Sequence, residues 1–61
     1  MKDKEDLLIE YRELLIQNHI MNKKSPNTIE HKQVNKRLLG IELKITSKEI
    51  IENTRIAFSI I

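Results

Sequence analysis

The sequence contains no cysteine and no tryptophan, and it has one glycine, one proline, one tyrosine and one phenylalanine. Without cysteine, neither a disulfide bond nor a thiolate zinc site can stabilise the chain. Because Gly40 is the single glycine, the chain also lacks the glycine-rich loops that cradle phosphate groups. The two aromatic side chains, Tyr11 and Phe58, offer little surface for stacking on bases or sugars. These absences argue against cofactor chemistry and favour a role in binding between macromolecules.

Long hydrophobic runs are absent as well. The longest contain three apolar residues, as in residues 7–9 and 14–16, whereas a membrane-spanning helix needs about 20. Residues 1–6 alternate charges and include no apolar stretch, so the sequence predicts no secretory signal. We therefore expect a cytoplasmic protein without a membrane partner.

The length of 61 residues predicts one domain, residues 1–61, with a small core. A chain of this size buries only about 60% of the surface that its unfolded form exposes. The two histidines stand twelve residues apart, and no carboxylate is spaced to complete a metal site with them, so we predict neither a metal nor a cofactor. A homo-oligomer or a protein partner is then the expected source of additional stability.

The spacing of apolar residues predicts an all-α fold, either a helical hairpin or a three-helix bundle, and we expect it to be oligomeric. The predicted helices cover about residues 3–22, 27–44 and 47–60. Their inner stripes are Leu7, Tyr11, Leu14 and Met21, then His31, Val34, Leu38, Ile41 and Ile45, and finally Ile50, Thr54, Ala57 and Ile61.

Local signals support the breaks between these helices. Ser25 and Pro26 suit a cap followed by proline at the first helical position, and Thr46 with Glu49 resembles a capping box. Residues 41–45 also alternate as a strand does, and residues 55–61 are rich in β-branched side chains. A mixed α/β fold therefore stays open as an alternative, and with it the structure of residues 41–46.

A second apolar stripe on the first helix, formed by Ile9, Ile16 and Ile20, lies roughly opposite the first stripe. A lone hairpin does not need two apolar faces on one helix. We therefore predict that these isoleucines, flanked by Arg12 and Glu13, bind a partner. Replacing Ile16 with lysine is expected to abolish partner binding and to preserve helicity.

The charge distribution suggests a second hypothesis. Residues 1–22 carry a net charge of −2 and residues 23–44 a net charge of +4. This distribution either favours pairing between the two segments or reflects two solvated faces. Lys32, Lys36 and Arg37 make the second helix basic, so a dimeric DNA-binding regulator is the alternative function. A helix-turn-helix would need apolar residues just before the second helix, where this chain has Asn22 and Lys24. A self-assembling structural module is the third hypothesis.

The segment Ser25-Pro26-x-x-Ile29-Glu30-x-x-Gln33 resembles the second helix of very small two-helix phosphatases that act on aspartyl-phosphate regulators in spore formers. The signature of those enzymes is Ser-Gln-Glu-Leu-Asp. Here only Gln33 remains of it, and Lys36 stands in place of the aspartate. The resemblance therefore implies docking without phosphatase chemistry. Since the sequence offers no other catalytic constellation, we expect a non-enzymatic regulatory protein, such as an inhibitor, that binds a larger protein through amphipathic helices.

Overall fold

The computed structural model describes residues 3–24 and 28–60, which form three α-helices. α1 spans Lys4–Lys24, α2 spans Ile29–Glu42 and α3 spans Ser47–Ile60. The all-α prediction is confirmed for this part of the chain, and the strand alternative is wrong there. Residues 43–46 form the connection between α2 and α3, and residues 55–60 are helical.

α2 is shorter than predicted at both ends. Thr28 is its N-cap, with extended backbone, and the Thr28 hydroxyl accepts a hydrogen bond of 3.1 Å from the His31 N–H. The predicted cap at Ser25-Pro26 lies outside the described residues. At the other end the helix stops at Glu42, two residues before the predicted end at position 44, with Leu43 as its C-cap.

The predicted capping box at the start of α3 is confirmed. The Thr46 N–H donates to Glu49 Oε1 over 2.9 Å, and the Glu49 N–H donates back to Thr46 Oγ1 over 3.2 Å. Lys4 Nζ lies 2.8 Å from Glu49 Oε2, so the first turn of α1 is tied to the first turn of α3. The reciprocal cap satisfies two N–H groups that the helix geometry leaves without partners.

α1 packs against both other helices, whereas direct contact between α2 and α3 is much smaller. α3 runs in the same direction as α1, because Lys4 contacts Glu49 near both starts and His19 contacts Phe58 near both ends. α1 thus lies between the other two helices.

The core lies where α1 and α2 meet. Its buried members are Tyr11, Val34, Leu38 and Ile41, and the half-buried side chains against them are Leu7, Leu14, Leu15, Met21, Ile45 and Ile50. The predicted inner stripe of α2 is therefore confirmed at its three central positions. Ile45 packs against the core from the connection rather than from the helix, since α2 has already ended.

α3 buries a residue that the apolar pattern did not predict. Ala57 is fully buried and Ile50 and Thr54 are half-buried, as expected, but Asn53 is buried beside them. Ile51, which follows Ile50 in the chain, is exposed. The predicted last member of the stripe, residue 61, lies outside the described residues.

Candidate partner interface

Arg12, one of the predicted partner-binding residues, faces α3. Its Nη1 donates a hydrogen bond to the Asn53 side-chain oxygen, and Asn53 Nδ2 donates to the Glu49 carbonyl over 2.7 Å. Asn53 is buried, so both polar ends of its amide are satisfied by the fold. Arg12 therefore contributes to packing between α1 and α3.

The outward stripe of α1 is only partly covered. Ile9 and Ile20 are 41% and 46% exposed, whereas Ile16 between them is half-buried. Glu13 is exposed on the same side and has no hydrogen bond or ion pair within the described residues. At 3.6 residues per turn, these four side chains share one side of the helix. Two of the three predicted isoleucines are thus available to a partner.

The three basic residues predicted for nucleic acid are all exposed on α2, but they differ in their surroundings. Arg37 donates from Nε and Nη2 to the two carboxylate oxygens of Glu10, over 2.8 and 3.0 Å. The hydrogen bonds and the charge of Glu10 raise the pKa of Arg37. This contact joins the acidic segment to the basic one. It leaves Lys32 and Lys36 as the α2 candidates without an ionic partner among the described residues.

α2 also exposes three large apolar side chains that the sequence analysis missed. Ile29, Leu39 and Leu43 are 75%, 62% and 88% exposed. They lie on the side of α2 opposite Val34 and Leu38, and spacings of three and four residues connect them with Lys32 and Lys36. This spacing is visible in the sequence and could have predicted a second apolar face on α2, just as the spacing of Ile9, Ile16 and Ile20 did on α1. A shallow depression beside it is lined by Gln33, Lys36, Arg37 and Gly40.

The two histidines serve separate contacts. The His19 ring meets the Phe58 ring edge to face, with 5.5 Å between centroids. His31 Nε2 lies 3.4 Å from the side-chain nitrogen of Asn35. Within residues 3–24 and 28–60, no three His, Asp or Glu side chains converge as metal ligands would.

Tyr11 is a buried residue whose hydroxyl has a raised pKa. Its hydroxyl donates to Glu42 Oε2 over 2.8 Å. Burial, the hydrogen bond to Glu42 and the negative charge of Glu42 raise the pKa of Tyr11 to about 12, against a smaller opposing effect of a hydrogen bond with Thr54. The phenol therefore stays protonated at neutral pH and acts as a hydrogen-bond donor that joins α1 to α2.

No protein-family model, curated protein or solved structure matches this chain. Among the described residues, none of the helices combines the length and the apolar character needed to cross a bilayer.

Proposed function

We propose that this chain is a small non-enzymatic regulatory protein that binds a larger protein through its amphipathic helices and so modulates it. The observation that carries the proposal is the exposure of Ile9 and Ile20 on α1, a helix that already packs against two others. Single exposed apolar residues are ordinary, but exposed residues that share one helix face are typical of binding sites.

The geometry fits recognition of a helix in a groove. Ile9 and Ile20 lie on one side of α1 with Ile16 and Glu13 between them, and the two exposed isoleucines would enter an apolar groove of the partner. Binding would then cover a surface of the larger protein and modulate its activity.

The test is capture from a lysate of the native host by the wild type and by two substituted chains. Ile20→Lys places a charge in the proposed contact, so we expect recovery of the specific partner to fall about tenfold or more. Ile51→Lys, the same change at an exposed isoleucine of α3, is the matched control and should retain the partner. Equal recovery by both variants would contradict the proposal. Ile16→Lys is a poorer probe, since that half-buried side chain also contributes to packing.

A dimeric DNA-binding regulator is supported less well. Lys32 and Lys36 are available for phosphate contacts, but Arg37 is engaged by Glu10. The two lysines also lie among exposed apolar residues, which a phosphate backbone would leave without partners.

A further inference from the structure

Two outward faces of this chain share one spacing. We define the α1 outer face as Asp6, Ile9, Glu13, Ile16 and Ile20, and the α2 outer face as Ile29, Lys32, Lys36, Leu39 and Leu43. Each follows steps of three, four, three and four residues, which is the spacing of a helix–helix seam. Nine of the ten side chains are exposed, and Ile16 is half-buried. Leu43 extends its face by one position because it keeps right-handed helical backbone angles as the C-cap.

The two faces carry opposite charges. Asp6 and Glu13 are the charged members of the α1 outer face, and Lys32 and Lys36 are those of the α2 outer face. None of the four side chains has an ion pair within the part of the chain that the structure describes. Each face therefore presents apolar groups together with charge that the fold does not compensate.

Three of the five positions match when the centres of the two faces are aligned, and the other two place a charged residue opposite an apolar one. Glu13 and Lys36 are the middle members, so they oppose each other whether the two helices run parallel or antiparallel. In the parallel arrangement, Ile16 and Ile20 meet Leu39 and Leu43. In the antiparallel arrangement, Ile9 meets Leu39, and Ile20 meets Ile29.

Gly40 leaves room for this contact. It lies one turn after Lys36, and a Cβ atom added there would meet nothing within 4 Å. Glycine within a helix costs about 1 kcal/mol relative to alanine, and no neighbour in the described residues requires its small size. The depression beside it could therefore receive a side chain from an approaching helix.

We propose that the α1 outer face of one copy of this chain binds the α2 outer face of a second copy. This inference goes beyond the proposed function but uses the same docking surface, so a second copy and a larger protein would compete for the α1 outer face. Pairing of like faces is disfavoured, since two α2 outer faces would bring Lys36 against Lys36 and two α1 outer faces would bring Glu13 against Glu13. The contact thus joins unlike faces. Two copies that exchange both faces form a closed two-fold dimer, whereas a head-to-tail contact leaves a free face for the next copy.

The experiment measures the mass of the full-length chain against concentration by analytical ultracentrifugation, with circular dichroism to verify the fold. We expect the mass of the wild type to rise with concentration. Glu13→Lys and Lys36→Glu should each raise the concentration needed for association by about tenfold or more, because each places like charges together. Lys48→Glu, at an exposed lysine of α3, is the control for net charge and should associate as the wild type does.

Two further samples make the test specific. An equimolar mixture of the two single variants should regain association. At one contact the lysine that E13K introduces meets the glutamate that K36E introduces, and at the next contact the native Glu13 meets the native Lys36. The double variant E13K/K36E should regain association alone. A mixture that fails to associate would overturn the proposal, and so would association that neither single reversal weakens.

A wild type that stays monomeric at millimolar concentration would also overturn self-association. The proposed function would then be decided separately by the Ile20→Lys capture experiment. Binding of duplex DNA by such a monomer, lost in Lys36→Glu, would instead assign the α2 outer face to nucleic acid.

Discussion

At the residue scale, the hydroxyl of Tyr11 adds a hydrogen bond to a small apolar core. Its ring fills the contact between α1 and α2, and its hydroxyl reaches the partly exposed carboxylate of Glu42. Sequence periodicity predicted the burial of the ring, but it could not predict the hydrogen bond. That bond depends on how α1 and α2 pack, because Tyr11 and Glu42 are 31 residues apart in the chain.

Replacing Tyr11 with phenylalanine should lower the free energy of unfolding by about 1.5 kcal/mol at neutral pH, through loss of the hydrogen bond to a charged group. The folded-state pKa is raised from 10.0 to about 12. The stability linked to this phenol is therefore present below pH 10 and is lost as the pH rises through 12. Urea denaturation of both proteins from pH 9 to 12 should show the difference shrinking. A constant difference would contradict the assignment. Because the chain has one tyrosine, its absorbance titration reports the pKa directly.

At the element scale, the start of α3 was predictable because capping is local chemistry. Thr46 and Glu49 stand three residues apart and satisfy each other's N–H groups whatever the rest of the chain does. Asn53 was not predictable in the same way. An asparagine is buried there only because α1 supplies Arg12 across the interface, and one sequence does not reveal which helix faces will meet.

The Glu49 carboxylate should also control the acid stability of the α1–α3 contact. The hydrogen bond from Lys4, followed by that from the Thr46 N–H, lowers the pKa of Glu49 from 4.5 to about 2. The linked stability is thus present above pH 4.5 and is lost as the pH falls through about 2. Glu49→Gln keeps a cap acceptor but removes the charge, so the variant should be less stable than the wild type at neutral pH and equal to it near pH 2. Thermal unfolding across this range measures the difference.

The matched control for this prediction is Glu52→Gln, at an exposed position of the same helix. Its pH dependence should follow that of the wild type. If Glu52→Gln removed the acid dependence as strongly as Glu49→Gln, net charge rather than the Lys4–Glu49 contact would explain it.

At the scale of the whole molecule, a few buried side chains must hold three helices together. Ile41 is fully buried at the centre of the core. Replacing isoleucine in a core by alanine costs about 2–5 kcal/mol, which matches the roughly 3–5 kcal/mol that one small core supplies. We therefore expect Ile41→Ala to be largely unfolded at low concentration, as measured by circular dichroism. Ile41→Val, at a cost of about 1 kcal/mol, should remain folded. A folded alanine variant would show that other contacts dominate.

The candidate interface was predictable in part, because the spacing of apolar residues indicates helix faces as well as helices. Periodicity identified Ile9 and Ile20 as lying off the inner stripe, and their exposure agrees with that. Periodicity could not indicate that Arg12 would turn toward Asn53 or that Arg37 would bind Glu10, because long charged side chains reach across interfaces that exist only after folding. The exposed Ile29, Leu39 and Leu43 were overlooked because the inner stripe of α2 accounted for its most regular spacing.

The edge-to-face contact between His19 and Phe58 gives the chain a natural spectroscopic probe. Phe58 is the single phenylalanine, so the ring-current displacement of the imidazole proton resonances of His19 by that ring can be assigned to one neighbour. Separation of the last turns of α3 from α1 would return those resonances toward their values in an unstructured peptide. Nuclear magnetic resonance can therefore follow, without any label, whether α3 stays docked while another molecule binds.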